Sequence, residues 1–208
     1  MVSGCLAKVV FSDVRRNFLL HYLIALGIIL ITPMIFGTAQ LSEKMAAQPL
    51  EIMSSLMGCV LLVPIFSPEQ NTNIRDVVRS KKTSYRLVCF IRIFCSLVVL
   101  VILISALTMY MRYSDSEVTF RLYFGAFASG TALGSLGLLS SAVSDNYIIG
   151  YMVGASYFLM NLFLKDKLGR FNLFAMSEGV MDGKGWLVIT AALLICICFT
   201  IRKELYEK

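Results

Sequence analysis

Residues 87–111 read LVCFIRIFCSLVVLVILISALTMYM, and this run decides the fold class. A helix of about 20 apolar residues crosses the ~30 Å hydrocarbon layer of a bilayer. This run exceeds that length with one charged side chain, Arg92, inside its first turns. From there it can reach the inner headgroups. The whole chain agrees with it. Of 208 residues, 58% are hydrophobic and only 15% charged, whereas soluble domains sit near 45–50% and about 25%. A domain of this size cannot hide such an excess in its own core.

Working outward, comparable runs recur on both sides. Spans are expected at about Phe18–Thr38, Pro49–Phe66, Leu87–Met111, Thr119–Ala142, Tyr147–Leu164 and Trp186–Ile201. The last is short for a bilayer. Pro33 and Gly37 are tolerated in a spanning helix, and Pro64 marks a kink at the inner end of span two. Glu51, at the outer end of that span, is expected to snorkel or face water. Ser144, Asp145 and Asn146 alone separate spans four and five, which makes them an antiparallel hairpin. Residues 1–17 carry Leu6, Val9, Val10 and Val14 at helical spacing with Lys8, Asp13, Arg15 and Arg16 between them, the pattern of a helix lying in the membrane interface. Residues 165–185 mix charge with Leu168, Phe171, Leu173, Phe174 and Met176, and read as short extracellular helices resting at the interface. The expectation is therefore an all-α integral membrane protein, one transmembrane domain over 1–208 with about six transmembrane helices and an N-terminal interface helix.

The net charge is +6. Lys8, Arg15, Arg16, Arg75, Arg79, Lys81, Lys82, Arg86, Arg92, Arg202, Lys203 and Lys208 fall on one side of the expected spans. Lys44, Arg112, Arg121, Lys165, Lys167, Arg170 and Lys184 fall on the other. The richer side belongs in the cytoplasm, and both termini with it. No basic segment alternates with aromatics as single-strand binders require, so nucleic acid is not an expected partner. Six cysteines, Cys5, Cys59, Cys89, Cys95, Cys196 and Cys198, lie mostly within apolar runs. They read as small buried hydrophobes, with neither the loop placement of a disulfide framework nor a metal-ligand pattern.

The most polar stretch is Ser67–Arg86. Ser67, Pro68 and Gln70 form a helix-start signal. Ile74, Val77 and Val78 make an apolar stripe, with Arg75 and Arg79 on another side. This is a short amphipathic cytoplasmic helix between two spans, a rigid lever by which a partner moves both. In layout the chain resembles the permease subunit of ABC-2 type ABC transporters: an interface helix, six spans, an amphipathic helix after span two, and an outer interfacial segment between spans five and six. Glu69 and the stretch Ser80–Arg86 stand where that family places an acidic opening and a hydroxyl-to-basic close. Lys82-Thr83-Ser84 lacks the proline often found there. The resemblance implies that residues 67–86 are a coupling helix and loop, with Glu69, Asn73, Arg75, Asp76 and Arg79 meeting a separate ATPase subunit. It also implies a dimer, with a second copy or a similar permease, in a bacterial inner membrane, and no cofactor in this chain.

ATP would be bound by the partner, since G-x-x-x-x-G-K-[ST] is absent. Sparse charge within the spans points to an amphipathic, peptide-like or lipid-like cargo. Gly130/Gly134 and Gly150/Gly154 are GxxxG pairs that serve either a dimer interface or packing within one subunit. The alternative function is a six-span substrate-binding protein of an uptake system, using Asn161, Asn172, Glu178 and Asp182. An intramembrane enzyme would need partners for the single histidine, His21, and the sequence has neither G-x-S-x-G nor H-E-x-x-H.

Overall fold

The computed structural model describes residues 17–70, 85–164, 167–180 and 183–207. Residues 1–16 of the expected interface helix 1–17 and residues 71–84 of the expected coupling segment 67–86 lie outside them, while 67–70 end a 3-10 stretch and 85–86 open a long helix. Among the described residues the chain is helical, without strands. The helices are α1 (Leu19–Phe36), α2 (Glu43–Leu62), α3 (Tyr85–Tyr113), α4 (Phe120–Ser144), α5 (Tyr147–Phe163) and α6 (Lys184–Glu207), with 3-10 turns at Val63–Gln70, Gly169–Phe171 and Ala175–Glu178. All but α5 are long and apolar enough to cross a membrane, and α5 is apolar but shorter. This is the build of a membrane protein. In lipid each backbone polar group needs a partner inside the segment, and a helix supplies one.

Prolines set where α2 ends. Pro64 has no N–H to give the Val60 carbonyl, so the α-helix stops at Leu62 and tightens into the 3-10 stretch. The Tyr151 hydroxyl, from α5, donates to that Val60 carbonyl at 3.4 Å. Pro68 likewise leaves the Ile65 carbonyl without its 3-10 donor, and Arg92 Nη1 of α3 donates to it at 3.2 Å. Neighbouring helices thus replace what proline removes. Pro49, expected to open span two, instead sits inside α2, which begins at Glu43.

The α4–α5 hairpin forms as expected. Asp145 closes α4 in the left-handed region, at φ 52°, a conformation that Asp tolerates better than most residues. The Asn146 side chain then caps α5 by accepting from Ile148 N. At the opposite end of the bundle, which we call distal, the α1–α2 and α3–α4 turns zip together. Gln40 N donates to Ser114 O at 2.9 Å and Glu117 N to Leu41 O at 3.0 Å. The Ser116 hydroxyl donates to Thr38 O at 2.8 Å and accepts from Leu41 N. The end that carries the α4–α5 turn is the proximal end.

α4 is the central helix. It packs on α2, α5 and α6, and its small residues let backbones approach. A Cβ placed on Gly58 of α2 would collide with the Gly130 carbonyl, and one on Gly130 would come within 2.7 Å of Ser54 O. One apolar cluster joins Leu50, Met57, Ile104, Leu107 and Leu122 from α2, α3 and α4. Another, near the proximal end, joins Ile65, Phe66, Ile93, Leu138 and Cys198. α1 is peripheral, with Leu20, Leu30 and Met34 exposed. Outward apolar surface on this scale needs acyl chains or more protein against it.

Candidate functional site

Charged side chains are the costly features of a helical bundle in lipid and mark where to look. Among the described residues, the buried ones gather in two clusters.

The distal cluster is built on Glu51 of α2 and Lys184, the first residue of α6. Lys184 Nζ lies 2.6 Å from Glu51 Oε1, with both side chains buried. The same ammonium donates to Ser129 Oγ of α4 at 2.7 Å and to the Leu173 carbonyl at 2.5 Å. Ser129 Oγ also donates to Leu173 O, at 2.8 Å. The Glu51 carboxylate accepts Met176 N at 2.9 Å and Ser177 N at 3.1 Å. Asn161 of α5 accepts Leu173 N at 2.7 Å, and the Tyr157 hydroxyl donates to Phe171 O at 2.7 Å. Four helices therefore hold the irregular backbone around residues 171–177 by its own N–H and C=O groups. Irregular backbone at membrane depth survives only when protein surrounds it.

This geometry corrects several expectations. Glu51 does not snorkel: it is fully buried, because Lys184 and two backbone N–H groups replace water. Lys184 is not a loop cation. With its charge matched it joins α6, which is longer than the run Trp186–Ile201 suggested. The 165–185 segment does contain short helices, but the stretch 172–176 is buried in the bundle and does not rest on the interface. Its anchors are Leu173 and Phe174 against Ala128, Leu133 and Leu187, and Met176 against Leu50 and Ala126. Met176 fits because α4 offers Gly125: a Cβ there would overlap the Met176 sulfur.

The proximal cluster draws on α3, α5 and α6 and on residues flanking α1, α2 and α4. Glu69, at the end of the 3-10 stretch, pairs with Arg92 of α3 at 2.5 Å, with side chains 1% and 8% exposed. The Arg92 guanidinium lies 5.7 Å from the ring of Phe18, just ahead of α1. Arg202 of α6 binds Asp145 at the end of α4, at 2.8 Å, and stacks 4.6 Å from the Phe66 ring. Gln70 Oε1 accepts Tyr147 N, the first amide of α5, at 3.1 Å. The stretch Val63–Gln70 is gripped from three sides immediately before residues 71–84.

Arg92, expected to reach headgroups, is turned inward, because Glu69 and the freed Ile65 carbonyl compete successfully for it. Glu69, expected at an ATPase contact, is buried against Arg92; Asn73, Arg75, Asp76 and Arg79 lie outside the described residues. The glycine pairs serve packing within the chain. Gly130 and Gly134 face Ser54, Gly58 and Leu62 of α2, Gly150 faces Gly137 of α4, and Gly154 faces Cys59. Asn161 and Asn172, offered for ligand capture, hold Leu173 N and Phe174 N, and Glu178 accepts from Asn172 at 3.4 Å. Asp182 lies outside the described residues. His21 stands half-buried in the first turn of α1 beside Phe18. Among the described residues no three His, Cys, Asp or Glu side chains gather as a metal would need.

The sequence alone does not assign the contacts of Ser129, Asp145 and Arg202 or the partnership of Lys184 with Glu51. The signal for the last was available: two opposite charges at the same end of apolar helices, each costly alone. No family model, curated protein or solved structure matches this chain.

Proposed function

We propose that this chain is the membrane permease subunit of an ABC-2 type transporter, an exporter of an amphipathic, peptide-like or lipid-like substrate. A separate subunit binds and hydrolyses ATP, and the permease works with a second copy or a similar permease. It sits in a bacterial inner membrane with both termini in the cytoplasm. The observation that carries this reading is the proximal grip. The polar segment 71–84 continues directly from Val63–Gln70, and that stretch is tied to α3 through Glu69–Arg92, to α5 through Gln70–Tyr147, and to α6 through Phe66–Arg202. A push on the segment reaches three helices at once through short, directional bonds, as a lever requires. The cargo class is supported by the charges. The buried charges of the described residues, Glu51, Glu69, Arg92, Lys184 and Arg202, are each paired within the chain.

The test is a gentle-detergent pull-down of the full chain from its native host, followed by mass spectrometry. A stoichiometric partner carrying a Walker A motif is expected. A chain that purifies alone, or with only a small molecule bound, overturns the reading.

A further inference from the structure

We propose that Arg202, toward the proximal end of α6, holds a phosphate group between α6, the α4–α5 turn and the stretch Val63–Gln70. The donor geometry comes first. The Arg202 side chain is buried, and its Nη1 binds Asp145 at 2.8 Å. Among the described residues, neither its Nε nor its Nη2 has a hydrogen-bond partner, and both are closed off from solvent. Those two N–H groups lie parallel on one edge of the guanidinium plane. That edge is the fork that receives two oxygens of one phosphate or carboxylate. The Phe66 ring, 4.6 Å away, faces the cation but accepts neither N–H in the plane.

More unused polar atoms lie against the same turn. Gln70 accepts Tyr147 N through Oε1 at 3.1 Å, which leaves its Nε2 as a donor. That Nε2 is buried and has no partner among the described residues. Tyr147 follows Asp145 by two residues, so Gln70 and Arg202 hold one turn from two sides. Ser141, one helical turn before Asp145 on α4, is fully buried, and its hydroxyl is also unpartnered among the described residues. Buried polar groups in folded proteins are paired almost without exception, so a group of unused donors calls for a further acceptor.

Phosphate fits this donor set and its depth. It offers the fork two oxygens at once and keeps others for an amide or a hydroxyl. Arg202 is the last residue of the apolar run Lys184–Arg202, which sets it where hydrocarbon meets headgroups. Phosphate is present at that depth in phospholipid headgroups and, in the adjoining solvent, as the free ion. Asp145, with its side chain 36% exposed, marks the side from which the guanidinium is reached. Its carboxylate opposes an anion, and contact with solvent weakens that opposition.

The inference stands apart from the permease reading, because neither an ATPase nor a cargo enters it. It is tested on the full chain in dodecyl maltoside, a detergent without phosphate. The melting temperature is followed during titration with short-chain phosphatidylglycerol, and separately with sodium phosphate against sodium chloride of equal ionic strength. A saturable rise with at least one of the two is expected. A rise with the lipid alone assigns a headgroup, and a rise with phosphate, alone or as well, assigns the free ion to the site. Arg202→Lys keeps a cation opposite Asp145 and removes the fork. It is expected to raise the apparent Kd about tenfold, the worth of a charge-assisted hydrogen bond. Asp145→Asn removes the opposing carboxylate at a left-handed position that asparagine tolerates. It is expected to lower the Kd about tenfold, and it decides the matter where Arg202→Lys does not fold. No response to either ligand overturns the site, as does an unchanged Kd in Arg202→Lys, or an unchanged or raised Kd in Asp145→Asn.

Discussion

At the scale of single residues, the two ion pairs decide which charges this bundle tolerates. Arg92 satisfies a carboxylate and a carbonyl that Pro68 leaves open, so its loss strands Glu69 in a buried site. Arg92→Ala is expected to destabilise the chain by about 3–5 kcal/mol, the usual result of orphaning one half of a buried pair. Removing both halves, as Glu69→Ala with Arg92→Ala, should cost less than the sum of the two single changes. A double-mutant cycle of thermal unfolding in detergent checks this, and strict additivity would show that the two side chains do not act together. None of this could be read from the isolated positions. Glu51, Glu69, Arg92 and Lys184 each look like an end-of-span charge bound for water or headgroups. The structure matches them in pairs across the chain.

At the scale of elements, glycines set how closely helices approach. Gly58 and Gly130 bring α2 and α4 into backbone contact, whereas Gly27 of α1 has nothing within reach of an added Cβ. Gly58→Ala is expected to lower stability by about 3 kcal/mol, since neither backbone can yield. Gly27→Ala should leave stability unchanged or raise it by up to about 1 kcal/mol through helix propensity. Thermal scans of the two variants side by side measure the difference. Gly150→Leu should disrupt the α4–α5 hairpin, because its side chain would enter the space of Gly137, Ser141 and Val63. The expected readout is a lowered melting temperature. A normally stable protein with a reduced dimer fraction would instead place Gly150 between subunits. The GxxxG spacing announced close packing but not the partner, since the same spacing serves neighbours in one chain or two.

At the scale of the whole molecule, the proximal grip and the distal cluster are joined by helices they share. α2 carries Glu51 midway along its length and leads into Glu69 at the proximal end, and α6 carries Lys184 at its start and Arg202 toward its other end. On the proposed permease reading, Arg75→Glu combined with Arg79→Glu is expected to weaken co-purification of the proposed ATPase about tenfold or more, because each reversed charge would turn attraction into repulsion at a contact. Membrane insertion should be normal, and quantitative mass spectrometry of the pull-down reads both. Unchanged recovery of the ATPase would remove the coupling role from this segment.

The sequence by itself determined the helical membrane build, the order of the spans, the α4–α5 turn and the break near Pro64. Each depends on a local property: the length of an apolar run, a missing N–H, or a residue that tolerates a left-handed turn. Only the tertiary structure decided that Glu51 meets Lys184, that Glu69 meets Arg92, that 172–176 is buried in the bundle, and that the glycine pairs face their own chain. Those outcomes depend on which distant helices become neighbours. A charge or a glycine records the need for a partner, and the packing of the helices supplies its identity.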